Sequence, residues 1–357
     1  MSNVKSFLIL CLSILLIIAF IPSTANSHAT TYTVGVKAGD WIIFDDVSYE
    51  YAGNMSAPPE QVNQTWIHGE ILSVDNYNVT AKSIILYKNG TEVTDIAWSN
   101  ITTGDGGIGL FIIPSDLSAG DRIPENLTMF SDVPMSLTIN GTVTRSYAGA
   151  NREVNYVSLA IPIMWNETTQ AGWGNVSFYW DRTSGVLCEQ KVSAMANFGV
   201  WPQNIYVEMS IAIKLTATNI WPAFSSIVFD STSYNVTMMS NSTISAFNFN
   251  ETAKTISLNL TGPESKSGYC NVTFPTELLG GPYTVLIDGL NVTYVEAPNA
   301  THTGISVTYL HGTHLVEIVG TTAIPEFPTM MSTIILLAML TAALLLAKRV
   351  KHNKTFL

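Results

Sequence analysis

Charge is what this chain has least of. Only 12% of its 357 residues are Asp, Glu, Lys or Arg, against about 25% in an ordinary soluble domain. The charge it does carry has the wrong sign for nucleic acid, with 16 Lys and Arg against 27 Asp and Glu. Lys5 lies in the first 29 residues, and Lys348, Arg349, Lys351 and Lys354 lie in the last ten. Between them remain 11 basic and 27 acidic residues, a net −16. Such a middle region repels phosphate backbones and argues against DNA or RNA as a partner.

Cysteine is scarce too. Cys11, Cys188 and Cys270 form no C-x-x-C pair, so no disulfide framework is encoded. Cys188 and Cys270 could bridge in an oxidising exterior, but two buried thiols are the simpler reading. Catalytic signatures are missing as well: no G-x-S-x-G, no H-E-x-x-H, no Gly-rich phosphate loop and no EF-hand. The expectation is therefore a protein that is not an enzyme, with no cofactor and no metal.

Three clusters stand against that expectation. His302, His311 and His314 fall within thirteen residues, but His311-Gly312-Thr313-His314 reads as a hairpin turn that would aim its two imidazoles differently. Asp40, Asp45, Asp46 and Asp105 offer carboxylates for calcium but match no known cage. Trp66, Trp98, Trp165, Trp173, Trp180 and Trp201 could stack on sugars if exposed in a row. Packed inward they are core.

What is present begins at the ends. Lys5, an apolar run from Phe7 to Ile21, Pro22 and the small residues up to Ala29 have the three parts of a secretory signal peptide, cleaved after Ala25 or Ala29. An uncleaved anchor is the alternative. At the other end, Thr329 to Ala347 gives 19 residues without a charge. At ~1.5 Å per residue that is just enough to cross a ~30 Å hydrocarbon layer. The basic cluster after it marks the cytoplasmic side. The region between faces outward in this topology.

That outward region is dense in N-x-S/T triplets: Asn54, Asn63, Asn78, Asn89, Asn100, Asn126, Asn140, Asn166, Asn175, Asn235, Asn241, Asn250, Asn259, Asn271, Asn291 and Asn299. A seventeenth, at Asn353, falls in the tail. With 26 Asn and 71 Ser plus Thr in 357 residues, chance places about five. Glycans at many of these sites would hydrate a surface that charge does not.

The middle reads as strand throughout. Residues 31–36, 78–87 and 206–215 alternate with period two, and Asn89-Gly90 and Asn140-Gly141 carry the chemistry of tight hairpin turns. Asp181 to Gly185 forms a longer loop. The composition changes near Asn219-Ile220-Trp221-Pro222, after which short strands such as 233–237, 255–260, 283–287 and 315–319 suggest an immunoglobulin-like sandwich.

Directly before the apolar run stands Ile324-Pro325-Glu326-Phe327-Pro328-Thr329. Motif, apolar helix and basic cluster in this order resemble the PEF-type C-terminal sorting signal of archaeal secreted surface proteins. The resemblance implies that Pro325, Glu326, Phe327, Pro328 and Thr329 are read by a membrane-embedded archaeosortase, which cleaves nearby. A permanent single-pass helix is the other reading. Tyr179-Trp180-Asp181 through Gly185-Val186-Leu187 is similar to a hairpin of lipoprotein-carrier proteins, which implies a curved antiparallel sheet, a half-barrel. The segments 240–245, 268–273, 278–282 and 301–303 resemble the membrane-proximal domain of uncharacterised archaeal exported proteins.

The expected organisation is all-β: signal peptide 1–29, antiparallel β domain 30–220, immunoglobulin-like β-sandwich 221–322, sorting motif and linker 323–328, transmembrane helix 329–347 and basic cytoplasmic tail 348–357. The expected role is that of a membrane-anchored, N-glycosylated cell-surface protein, structural or interactive. The alternative is an extracellular lipid- or carbohydrate-binding protein that uses the first β domain. Expected partners are the membrane, an archaeosortase-like enzyme, an oligosaccharyltransferase, and envelope glycans or neighbouring surface proteins.

Overall fold

The computed structural model describes residues 32–54, 64–124, 137–164, 170–200, 203–229, 231–264, 266–324 and 337–343. These residues are almost entirely strand and turn. The first eleven strands are β1 (Trp41–Gly53), β2 (Gln64–Asp75), β3 (Asn78–Tyr87), β4 (Glu92–Asn100), β5 (Arg122–Ile123), β6 (Leu137–Thr138), β7 (Gly141–Tyr147), β8 (Ala150–Met164), β9 (Gln170–Asp181), β10 (Leu187–Val200) and β11 (Gln203–Thr218).

All but β5 and β6 join one antiparallel sheet in the order β4-β3-β2-β1-β11-β10-β9-β8-β7. It is two meanders zipped together by the first and last strands, β1 and β11. Its edges, β4 and β7, do not meet, so the sheet is not a closed barrel. One face carries the large apolar residues, among them Phe44, Val157, Phe178, Trp180 and Leu215, all essentially fully buried.

That face is covered by the described parts of the 101–139 stretch, which add Ile113, Leu117, Ile123 and Ile139 to the same core. A short 3-10 turn, Gly109–Phe111, brings the Leu110 carbonyl to accept from Trp180 Nε1 at 2.7 Å. The Asp181–Gly185 turn holds this cover in place, because Gly185 accepts at its carbonyl from Ile113 N at 2.9 Å.

Two expectations within this first unit need correction. Among residues 32–36 the alternation makes no strand, only the bridge Thr33 to Ser115. Gly35 lies so close to Thr183 and Ser184 that a Cβ would meet backbone at 2.5 Å; the segment crosses the β9–β10 turn instead of extending an edge. Asn140-Gly141 is not a hairpin turn either, since β7 pairs with β8 and β6 pairs with β5. Asn140 is instead fixed by contacts to β8, its N–H donating to the Tyr156 carbonyl and its Oδ1 accepting from Ser158 N.

The remaining strands are β12 (Ala223–Phe229), β13 (Thr232–Ser240), β14 (Thr243–Asn250), β15 (Thr255–Thr261), β16 (Ser267–Pro275), β17 (Leu279–Gly280), β18 (Thr284–Ile287), β19 (Leu290–Asn291), β20 (Val295–Pro298), β21 (His302–Leu310), β22 (Thr313–Val319) and β23 (Thr322–Ala323). They form two five-stranded sheets, β12-β13-β16-β21-β20 and β14-β15-β22-β18-β19. Val236, Val272, Phe274 and Ile305 from one sheet and Leu258, Val285, Val316 and Ile318 from the other share one core, a sandwich-like arrangement. Alternation is clean here, as in β13, where Tyr234, Val236 and Met238 are buried and their neighbours are not.

The turn at His311-Gly312 does not close a hairpin. β21 pairs with β16 and β20, whereas β22 pairs with β15 and β18. The chain therefore passes from one sheet to the other at that corner.

The second unit rests against the back of the first sheet. Trp41 meets Tyr269 edge-on at 6.5 Å, Thr243 donates to Asp45, and Lys266 pairs with Glu92. Ile43, Trp66 and Ala217 are buried there with Trp41, Ile84 and Leu86 around them, so part of the back face is apolar as well.

Residues 337–343 are helical. No helix among the described residues is long and apolar enough to cross a membrane. Residues 1–29, the motif at 325–329, the rest of the 329–347 run and the tail at 348–357 lie outside the described residues.

Candidate functional site

The interior of the first sheet is the natural place for a ligand, and it is filled. A cavity of about 130 Å³ remains between β1–β4 and the 107–112 segment, lined by Ile42, Phe44, Ile67, Ile71, Ile108 and Phe111 among others. Sites for small molecules usually offer about 300–1,000 Å³. A lipid tail does not fit this space without displacing the cover.

The tryptophans divide by position. Trp180 is fully buried and stacks on Phe178 at 5.3 Å; Trp66 is buried at the back of the sheet beside His68, at 5.4 Å. Trp98 and Trp173 stand out at 52% and 53% exposure. Trp165 and Trp201 lie outside the described residues.

The three histidines do not converge. His302 bonds with Thr301 Oγ1 at 2.9 Å, His314 with Asp288 at 2.8 Å, and His311 is buried with its Nε2 3.2 Å from Asn241 Oδ1. The four aspartates also serve separate places. Asp40 accepts from Lys37 N, Asp45 from Thr243, Asp105 from Thr103, and Asp46 stands opposite Lys214 in the sheet. No cluster able to hold a metal occurs among the described residues. Cys188 and Cys270 are free thiols, each buried in a different core. Burial pushes the Cys270 thiol up to about 12.

A feature the sequence did not announce lies on the back of β7–β11. Glu189, almost fully buried, accepts from Tyr147 at 2.5 Å and Arg145 at 2.8 Å and pairs with Lys191 at 2.5 Å. Arg145 also lies over the Tyr179 ring at 3.8 Å. Beside it Arg152 grips Asp181 with two bonds and covers Trp221, whose Nε1 donates to the Tyr147 carbonyl. Burial alone would raise Glu189, but hydrogen bonds from Lys191 and Tyr147 and the neighbouring cations outweigh it and hold the carboxyl low. Burial and the Glu189 hydrogen bond raise Tyr147. Among the described residues, no buried side-chain polar atom of this network lacks a hydrogen-bond partner. The network braces the segment that leads from the first core, which ends at Trp221, to the second, which begins at Ala223. Only the cross-strand register reveals it, because Arg145 and Glu189 are 44 positions apart.

The surface itself is the richest feature. Of the sequon asparagines, Asn63, Asn126 and Asn166 lie outside the described residues, as does Asn353. The other thirteen all reach the surface: Asn54, Asn78, Asn89, Asn140, Asn175, Asn235, Asn250, Asn271, Asn291 and Asn299 are exposed, and Asn100, Asn241 and Asn259 are half-buried. Several use only the oxygen of the amide. Asn89 Oδ1 accepts from Thr91 N, and Asn299 Oδ1 from Thr301 N and His302 N. Asn241 differs, since its Nδ2 donates to the Ser267 carbonyl while its Oδ1 accepts from Tyr269 N.

In sequence the chain matches no protein-family model, and no curated protein matches it either.

Proposed function

We propose that this chain is an N-glycosylated, membrane-anchored surface protein whose role in the cell envelope is structural or interactive. One observation carries the reading: no described sequon asparagine is buried, in a chain with more than three times the chance number of triplets. Transfer of a glycan requires an acceptor that reaches the surface, as all of these do; polarity alone would turn Asn outward, but it does not supply the excess of complete triplets. The filled interior adds support, since about 130 Å³ is small for a lipid tail, the ligand that a half-barrel interior would hold.

In finer detail, the first unit is a half-barrel closed on its concave side by the described parts of its own 101–139 segment. The second is an immunoglobulin-like sandwich. The leader at 1–29 directs export, and the PEF motif at 325–329 marks the chain for an archaeosortase-like enzyme. An oligosaccharyltransferase supplies the glycans. In that transfer the Asn Nδ2 displaces a lipid-linked phosphate from C1 of the sugar. The N–C1 bond forms, the C1–O bond breaks, and the amide proton leaves with the released lipid phosphate.

The test is glycopeptide mapping and intact-mass measurement of the mature protein from a host that glycosylates and sorts such chains. Occupied sequons and a C-terminus cut near Phe327 are the expected result. A chain bare at every sequon overturns the glycoprotein reading, and recovery of intact Leu357 on surface-localised protein overturns the processing step.

A further inference from the structure

Trp98 and Trp173 are the two strongly exposed tryptophans among the described residues. Each stands two positions before a sequon asparagine, Asn100 and Asn175, on a strand. Side chains at i and i+2 of a strand share a face. Each exposed indole therefore flanks a glycan acceptor on the same side of the sheet.

Around Trp173 the register builds a floor. Trp173 lies opposite Met195, Met195 opposite Glu208, and in the next row Asn175 lies opposite Ser193. Met195 is 54% exposed, so indole and thioether form one open apolar patch on the face turned away from the core. A depression of about 400 Å³ sits over it, rimmed by Glu50, Glu208, Ser193 and Ser210. Asn175 is exposed at its edge, and its side chain makes no hydrogen bond to any described residue.

We propose that this depression seats the first sugars of a glycan carried by Asn175, with a sugar ring lying across Trp173 and Met195. The proposal rests on the glycoprotein reading above and adds a specific site to it. A pyranose presents C–H groups on its faces and hydroxyls around its edge. That matches an indole floor with carboxylate and hydroxyl groups at the rim. A space of about 400 Å³ lies at the lower end of ligand-site sizes, enough for roughly one or two rings. The covalent tether replaces a bimolecular encounter with an effective concentration of order mM, so weak stacking suffices to keep the site filled. The glycan in turn covers apolar surface that otherwise invites association.

The test compares glycosylated wild-type protein with Ser177→Ala, which removes the acceptor triplet and leaves Asn175, Trp173 and Met195 in place. Glycopeptide mapping first establishes occupancy. Occupied sequons elsewhere with Asn175 bare overturn this proposal alone, whereas a chain bare everywhere overturns the glycoprotein reading beneath it. Peroxide oxidation of Met195, read by peptide mass, is expected to be roughly threefold or more slower in the glycosylated protein than in Ser177→Ala. Equal, fast oxidation in both overturns the seat. Slow oxidation in both overturns it as well, and points to a free glycan or a second copy as the occupant. Trp173→Ala gives an independent check: it should restore fast Met195 oxidation while Asn175 remains occupied. Continued protection in that variant removes the indole from the site.

Discussion

Tyr147 donates its hydroxyl to the Glu189 carboxylate at 2.5 Å, and both side chains are almost wholly buried on the back of a sheet whose main core lies on its other face. The pair is held by Arg145 and Lys191, and Tyr147 in turn accepts at its carbonyl from Trp221. An ionic network thereby fixes the exit from the first unit.

Glu189→Gln should therefore destabilise the protein by about 1.5–3 kcal/mol, the range for hydrogen bonds to a charged group. The pH dependence has a definite sign. The folded carboxyl is held below its ordinary value of 4.5, so its stabilisation is complete above about pH 4.5. As the pH falls further the unfolded chain takes the proton first, and the stabilisation is lost through the folded value. Urea midpoints between pH 6 and pH 3 should fall less steeply in Glu189→Gln than in wild type; parallel slopes would show that Glu189 carries none of the acid sensitivity.

A second pH effect is centred on the junction between the units. Burial lowers His68 below its ordinary 6.5, against the pull of Glu70 and with the help of Lys82, where it packs beside Trp41 and Trp66. Burial also lowers His311, aided by His314. The fold thus disfavours the charged form of both rings. Stability is then full above about pH 6.5 and declines below it, because the unfolded chain binds protons that the folded one refuses. Chemical denaturation at pH 7.5 and pH 5.5 should show this loss shrinking in His68→Gln and again in His68→Gln/His311→Gln. An undiminished loss in the double variant contradicts the assignment.

Much of the fold was legible from period-two alternation. The pattern at 78–87 is β3, and that at 206–215 lies inside β11. Turn chemistry was less reliable, because a turn signal does not say which strands it joins. Asn89-Gly90 does link neighbours β3 and β4, whereas Asn140-Gly141 docks on β8. The brace around Glu189 was not legible at all, since its members come from four strands brought together only by the register β7-β8-β9-β10. The outward placement of the sequons follows from alternation once the buried face is known. Their pairing with exposed tryptophans requires the burial of each indole, which spacing cannot supply.

Among the sequons, Asn241 should stay bare. Its Nδ2 is committed to the Ser267 carbonyl and its side chain is half-buried against His311. A sugar takes one of the two Nδ2 protons and has to fit beside the Ser267 carbonyl and the His311 ring, crowding both contacts. Glycopeptide mapping should find it unmodified while exposed sites such as Asn89 and Asn299 are occupied, and Asn241→Ala should cost about 1–3 kcal/mol without changing the glycan mass. A loss of one glycan in that variant would contradict the prediction.

Gly185 and Gly90 separate two costs that are usually confounded. Both adopt left-handed backbone, with φ of 72° and 80°. A Cβ on Gly90 would meet nothing within 4 Å, whereas one on Gly185 would fall 2.0 Å from the Ile113 carbonyl oxygen. Gly90→Ala should therefore cost only the backbone term, about 1 kcal/mol. Gly185→Ala adds a clash that forces the cover around Ile113 and Pro114 off the sheet, and should cost roughly 2–5 kcal/mol in all. The two denaturation midpoints measure the difference directly. If they coincide, the cover is not held against the Asp181–Gly185 turn. If Gly185→Ala also opens the interior, an apolar dye that ignores wild type and Gly90→Ala should bind it, because the space between β1–β4 and residues 107–112 would no longer be limited to about 130 Å³.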